Sequence, residues 1–149
     1  MPTSATFGGF NFGRDGTFVL MHPLAPNGRV DMTGLMSFDA KEEYHTVTKT
    51  FITGKTLEQF IPKNWKGSFD IVRGGAGLDT LQSGIDLGWY TGGVMFFGRA
   101  YQYVTEIDGS VTTFCYDDVA IKVTDSGKWE GDKEVMQKVE FTASSRKRI

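Results

Sequence analysis

The sequence predicts a mostly-β fold, an antiparallel β-sandwich or barrel of about seven strands with one flanking α-helix at about residues 76–90. Three observations predict it. The chain carries 19 glycines and 12 phenylalanines, and many turn formers beside many rings suit short strands and tight turns, not a helical bundle. Several segments alternate apolar and polar residues at period two. Only one stretch repeats its apolar residues at helical spacing.

A length of 149 residues is one domain's worth, enough to bury a core but not two. We read 1–149 as a single domain whose first sixteen residues form an arm. With 40% hydrophobic and 23% charged residues the composition is that of an ordinary globular protein. A net charge of −2 argues against a nucleic-acid binder, which needs a surplus of Lys and Arg. Cys115 is the only cysteine, so no intrachain disulfide is available and packing or assembly must hold the fold. No signal segment opens the chain and no apolar run approaches membrane length, so the expectation is a cytoplasmic protein without membrane contact, unless a larger assembly carries it out.

The elements follow in order. The opening MPTSATFGGFNFGRDG holds four glycines and three rings, Phe7, Phe10 and Phe12. Those rings either fold back onto the chain's own core or dock on a neighbouring subunit, because an arm of exposed aromatics is a liability in a monomer. Thr17 to His22 is a short β-rich run closed by Pro23 and the turn Pro26-Asn27-Gly28. From Arg29 to Lys41 the alternation is long, with Val30, Met32, Met36, Phe38 and Ala40 opposite Asp31, Thr33, Ser37, Asp39 and Lys41. Tyr44 to Thr53 is rich in β-branched residues and reads as a further strand ended by Gly54. Pro62, Asn64 and Gly67 then read as breaks before a strand from Ser68 to Arg73.

After Gly74 and Gly75 the period changes. Leu78, Leu81, Ile85 and Trp89 recur at helical spacing, and Gly92 and Gly93 end the helix. Met95, Phe97, Tyr101 and Tyr103 alternate up to the hairpin turn Asp108-Gly109. On the return strand Phe114 and Tyr116 give way to Val119, Ile121 and Val123. That change of phase across Asp117-Asp118 predicts a bulge. Val135, Val139, Phe141 and Ala143 form a last strand, and SSRKRI reads as a basic tail.

Chemistry is hard to find in the pattern. His22 and His45 sit apart, with neither HxxxH nor CxxC company, so metal ligation is not expected. No GxSxG elbow surrounds a serine. Cys115 lies mid-strand, where a cysteine is usually a small core hydrophobe. The run GGAGLD after Arg73 leads a strand into a helix, as a phosphate site would, but lacks the Lys-Ser/Thr of a P-loop and reads better as a tight turn. The pattern predicts no enzyme and no cofactor. A small-molecule-binding β-barrel protein is the alternative class that the strand count and the rings allow.

Three segments resemble the tail tube proteins of contractile-tailed bacteriophages, relatives of type VI secretion tube proteins. LMSFDAKEEYHTVTKTF (Leu35 to Phe51) resembles their "SFDAK" strand and hairpin. NWKGSFDIVRGGAGLDTL (Asn64 to Leu81) is similar to the strand that leads into their single helix, and EVMQKVEFTASSRKRI (Glu134 to Ile149) to their closing strand. The resemblance implies a structural subunit forming stacked hexameric rings, the conduit for DNA ejection from the virion tail. Its implied partners are further copies of the chain, a tail sheath protein, and baseplate and tail terminator proteins, with transient, non-specific passage of DNA. Assembly would take place in the host cytoplasm.

On that reading Phe7, Phe10, Phe12 and Phe51, with the hairpin Tyr44–Leu57, are candidate subunit contacts. Arg146, Lys147 and Arg148 are candidates to pair with carboxylates of an adjacent subunit. A conduit for DNA needs a wall that is neutral to acidic, and Asp31, Asp39, Lys41, Gln102 and Glu106 are the candidates to face that lumen.

Overall fold

The computed structural model describes residues 12–25, 28–30 and 32–149. Seven antiparallel strands form one continuous sheet: β1 (Gly16–Met21), β2 (Leu35–Thr50), β3 (Thr56–Val72), β4 (Gly98–Thr105), β5 (Val111–Asp125), β6 (Met136–Ala143) and β7 (Ser145–Arg148). Their order is β1-β4-β5-β6-β3-β2, with β7 against β5. The one α-helix among the described residues, α1 (Gly77–Gly92), joins β3 to β4.

The bend of the sheet is set inside β5. Gly98 of β4 pairs with Val119, but Ala100 pairs with Tyr116, so the β5 side holds an extra residue, and Asp118 there takes a positive φ of 52°. This is the bulge predicted at Asp117-Asp118. It returns Val119 and Ile121 to the core face already occupied by Tyr116, and all three are buried. Before the bulge β5 pairs with β4 and β7; after it, with β6. The sheet therefore divides into two leaves that share one strand.

The leaves close on each other through rings. Phe18 of β1 and Phe38 of β2 lie at opposite ends of the strand order, yet they stack with centroids 4.2 Å apart. Phe69, Tyr116 and Phe141 complete the cluster, each within 6.5 Å of Phe18. The interior is thus filled with side chains.

Seven strands were expected and seven are found, but not the same seven. The runs Arg29–Lys41 and Tyr44–Thr53 are not two strands. Their adjoining parts merge into the single 16-residue β2, Leu35–Thr50, with a register shift at Glu43/Tyr44 in place of a turn, while residues 29–34 and 51–53 stay outside the strand. Nor do Pro62, Asn64 and Gly67 break the chain, because β3 runs through all three for 17 residues. Pro62 lies beyond Trp65, the last β3 residue paired with β6, so its missing N–H faces no third strand. Gly67 is there for space: a Cβ would collide with the Asp39 carbonyl and the Phe141 ring. The predicted basic tail is also a strand, β7, paired from Phe114↔Arg148 to Asp117↔Ser145.

The helix is as predicted to within two residues at its end. Gly93 closes it at φ 64°, its N–H donating to the Trp89 carbonyl at 2.9 Å. Leu78 and Leu81 are buried and Ile85 half-buried, but Trp89, the last residue of the predicted stripe, is exposed.

Candidate functional site

The described residues hold no group of His, Cys, Asp or Glu that could bind a metal. The polar residues that might suggest chemistry are spent on structure. Arg73 donates twice to Asp79 Oδ2, at 3.1 and 3.0 Å, while Asp79 Oδ1 accepts from Gln137 Nε2 at 2.9 Å. The first turn of α1 after GGAG thus already carries its own anion. Asp117 takes Arg99 Nε at 3.1 Å and Lys147 Nζ at 3.5 Å, and Asp118 accepts from Ser144 Oγ at 3.0 Å. Burial pushes the Cys115 thiol up and the His22 imidazole down from their ordinary values, so Cys115 stays a thiol and His22 stays neutral. His22 Nδ1 accepts from the Leu24 N–H at 3.2 Å, which places its own proton on Nε2.

What the fold does leave open is surface, and three surfaces stand out. The first is the far half of the β2–β3 hairpin. Pairing of β3 with β6 ends at Trp65↔Ala143, and from Tyr44 and Pro62 outward only two strands remain. At about 3.4 Å per residue, Tyr44 to Thr50 carries this ribbon about 24 Å beyond the body. Gly54, at φ 89°, turns the tip, where the Phe51 N–H donates to the Lys55 carbonyl at 2.9 Å. Tyr44, Phe51, Ile52, Leu57, Phe60 and Ile61 are all exposed, Ile52 completely. An uncovered two-stranded ribbon is marginal in water, and so many exposed apolar residues on one mark a contact surface. Lys49 and Lys55 against the single Glu58 make it cationic by one charge.

The second surface is the far end of α1 with the segment after it. Leu87, Trp89, Tyr90, Val94, Met95 and Phe97 are exposed. The last turn of the helix has no basic residue to offset the negative end of its dipole. Leu87 and Tyr90 lie off the predicted stripe, so sequence reasoning missed this patch. The signal that could have found it was the number of apolar residues between Ile85 and Gly98, more than one helix face can bury.

The third surface is the outer face of the leaf β2–β3–β6–β5. Asp39, Glu43, Asp70 and Glu140 share it with Lys41, Lys66, Lys122 and Lys138, by strand alternation and register. Lys66–Glu43 and Lys122–Glu140 are ion pairs at 3.4 Å, and Asp39 Oδ1 accepts from the Ser68 N–H and hydroxyl at 2.8 and 3.0 Å. The face is densely charged and, with Asp125 opposite Lys138 at its edge, holds no surplus of cations.

The sequence-predicted residues sort as follows. Phe51 is at the ribbon tip and Phe12 is partly exposed beside the short 3-10 turn Gly13–Asp15, while Phe7, Phe10 and Asp31 lie outside the described residues. Asp39 and Lys41 share the charged face. Gln102 does not join them: its Oε1 accepts from the buried Tyr116 hydroxyl at 2.9 Å, which turns it toward the core. Glu106 is on the other leaf, in the β4–β5 turn. Two of the three terminal cations have partners in their own chain. The Arg146 guanidinium lies over Trp65 and Phe114, 4.1 and 4.0 Å from the ring centroids, and Lys147 pairs with Asp117.

No protein-family model matches the chain, and no curated protein matches it by sequence. Its fold does have solved counterparts. A chain in the cryo-EM structure of the anti-feeding prophage cap, the AFP tube terminating cap, matches with a TM-score of 0.59 at 10% identity, over 89% of this chain and 87% of that one. A chain of the PVC sheath–tube complex, from an extracellular contractile injection system in its extended state, matches at 0.54 and 10% identity, over 89% and 88%. One from the virion of a native gene transfer agent particle matches at 0.51 and 13% identity, over 94% and 99%. At such identities the likeness is one of fold, and it is the fold of contractile injection system and phage-like particle components.

Proposed function

We propose that this chain is a structural subunit of a phage-type tail tube, six copies closing a ring and stacked rings forming a conduit for DNA. The observation that carries the reading is the apolar ribbon. Its residues 44–61 are uncovered among the described residues, and a second copy would bury them. The fold supports the same reading, since the chains that share it belong to a tube cap, a sheath–tube complex and a virion. The charged face of the β2–β3–β6–β5 leaf suits the inner wall: it holds no surplus of cations to retain a polyanion in transit. Both ends of the strand order, β1 and β2, have one neighbour in the sheet, and ring closure with a heterologous interface protects such edges. Sheath, baseplate and terminator proteins would be the partners outside the ring. No observation favours the ligand-binding barrel, because the five rings fill its interior.

Electron microscopy of the purified chain at high concentration tests the reading. Six-membered rings or tubes are the expected result. A protein that stays monomeric and monodisperse at every concentration tried would overturn it.

A further inference from the structure

We infer that the ribbon of one copy docks on the far end of α1 of a second copy, so that residues 51–61 of the first cover residues 87–97 of the second. The inference rests on the tube-subunit reading and names the surface that receives the ribbon. Among the described residues these two apolar patches are left open, and neither covers the other. Each carries large exposed side chains: Phe51 and Ile52 at the ribbon tip with Phe60 farther down it, and Leu87, Trp89 and Tyr90 on the helix. Their charges are complementary. The ribbon brings Lys49 and Lys55 against one glutamate, whereas residues 82–97 contain Asp86 and no Lys or Arg. The helix C-terminus adds its own negative dipole end, with no basic side chain in the last turn to neutralise it.

Topology makes the contact propagate. The ribbon leaves the body at one end of β3, past Trp65, and α1 follows from the other end, past Val72. A contact between two different patches on identical chains is heterologous, so every copy that donates a ribbon still offers a helix end to the next. Gly88 belongs to the receiving surface in a second way. A Cβ there would crowd the Phe96 ring, so the glycine lets the segment after the helix fold back on it, where Val94, Met95 and Phe97 are exposed.

The test places a photoreactive benzoylphenylalanine at Ile52 and irradiates the assembled protein. Trypsin cuts at Arg73 and Arg99, so the receiving surface falls in one peptide, residues 74–99. An adduct on that peptide, formed only between copies, is the expected result. Assemblies with an adduct elsewhere, or with none, overturn the docking but leave the tube reading standing. Failure of the chain, with or without the label, to assemble at all overturns both. A charge variant gives a second readout: Thr91→Lys adds a cation to the last turn of α1 and should raise the concentration needed for assembly about tenfold at low salt, with the effect shrinking as salt is added. Assembly of Thr91→Lys at the unmodified concentration in low salt overturns the docking.

Discussion

The two halves of the β2–β3 hairpin are made of the same two antiparallel strands, joined across a register shift at Glu43/Tyr44, yet they meet opposite fates. Near the body Phe38, Phe69 and Ile71 join the core; farther out Leu57, Phe60 and Ile61 stay in water. Both halves carry large apolar side chains. What differs is the neighbour: β6 runs beside β3 from Val72 to Trp65 and stops, and β1 faces β2 only where Phe18 meets Phe38. Burial here is a property of the third strand and the opposite leaf, not of the hairpin. The near half therefore stabilises the fold, and the far half is free to stabilise an assembly.

The largest expected difference between the halves is in truncation of a ring. Phe69→Ala removes a side chain packed against Phe18 and Phe141 and should cost about 3–5 kcal/mol. Chemical denaturation would read it as a shift of midpoint at unchanged slope. A loss below about 1 kcal/mol would mean that the near half is not the core it is described to be.

Next in size is the effect of a methyl group at a glycine. Gly67→Ala, in the near half, drives a Cβ into the Asp39 carbonyl and the Phe141 ring. It should cost about 1–3 kcal/mol, since the backbone of β2 cannot move without the sheet. At the tip, Gly54 has open space but a φ of +89°, so Gly54→Ala meets only backbone strain, about 1 kcal/mol. That strain is local to the turn. It should loosen amide protection between Thr50 and Thr56 and leave the denaturation midpoint of the body nearly unchanged. Equal loss of global stability in the two variants would erase the boundary between the halves.

Smaller again is the effect at the boundary itself. Arg146 lies over Trp65, the last β3 residue paired with β6, and over Phe114. Arg146→Ala should cost about 0.5–1 kcal/mol through the lost ring contacts. Arg146→Lys should recover only part of that, because an ammonium lacks the planar face that covers both rings. Amide exchange at Trp65 and Lys66 should speed up in Arg146→Ala before the rest of β3 responds.

How far the sequence discloses all this depends on which residues had two sides to distinguish. Phe69 and Ile71 against Ser68 and Asp70, and Val139 and Phe141 against Lys138 and Glu140, alternate because one face is buried and the other wet. Those strands were legible. The ribbon is wet on both faces in the single chain, so YHTVTKTFIT keeps β-branched residues but loses polarity contrast, and its continuity with Leu35–Glu43 was hidden. Pro62 and Gly67 misled for a related reason. They mark breaks only where a neighbouring strand needs the N–H or where no close backbone approach explains the missing Cβ. The strand SRKR has no apolar alternation and is held by pairing to β5 and by Arg146 on the rings, none of which a linear pattern displays. Of the candidate site, the apolar ribbon was visible as composition, but Gln102 could not be oriented without Tyr116 beside it.

The smallest expected effect on stability is also the one that separates the halves most sharply. Phe60 is exposed and its one described ring contact is edge-on with Tyr44, at 6.2 Å, so Phe60→Ser combined with Ile52→Ser should change the unfolding free energy by no more than about 0.5 kcal/mol. The side chains removed there contribute nothing to the body, since among the described residues no third strand and no opposite leaf reach them. In an assembly the same side chains would be buried against another copy. Losing them would remove about 1.5–3 kcal/mol of burial for each fully covered side chain, and a ring or stack repeats the loss at every contact. The double variant should therefore fold like the unmodified chain and remain monomeric at concentrations where that chain assembles. Size-exclusion chromatography with light scattering, run beside a denaturation curve, reads both quantities on one sample. A variant that assembles normally would show that the ribbon's apolar residues are not contacts, whereas one that loses several kcal/mol of stability would show that the ribbon belongs to the core.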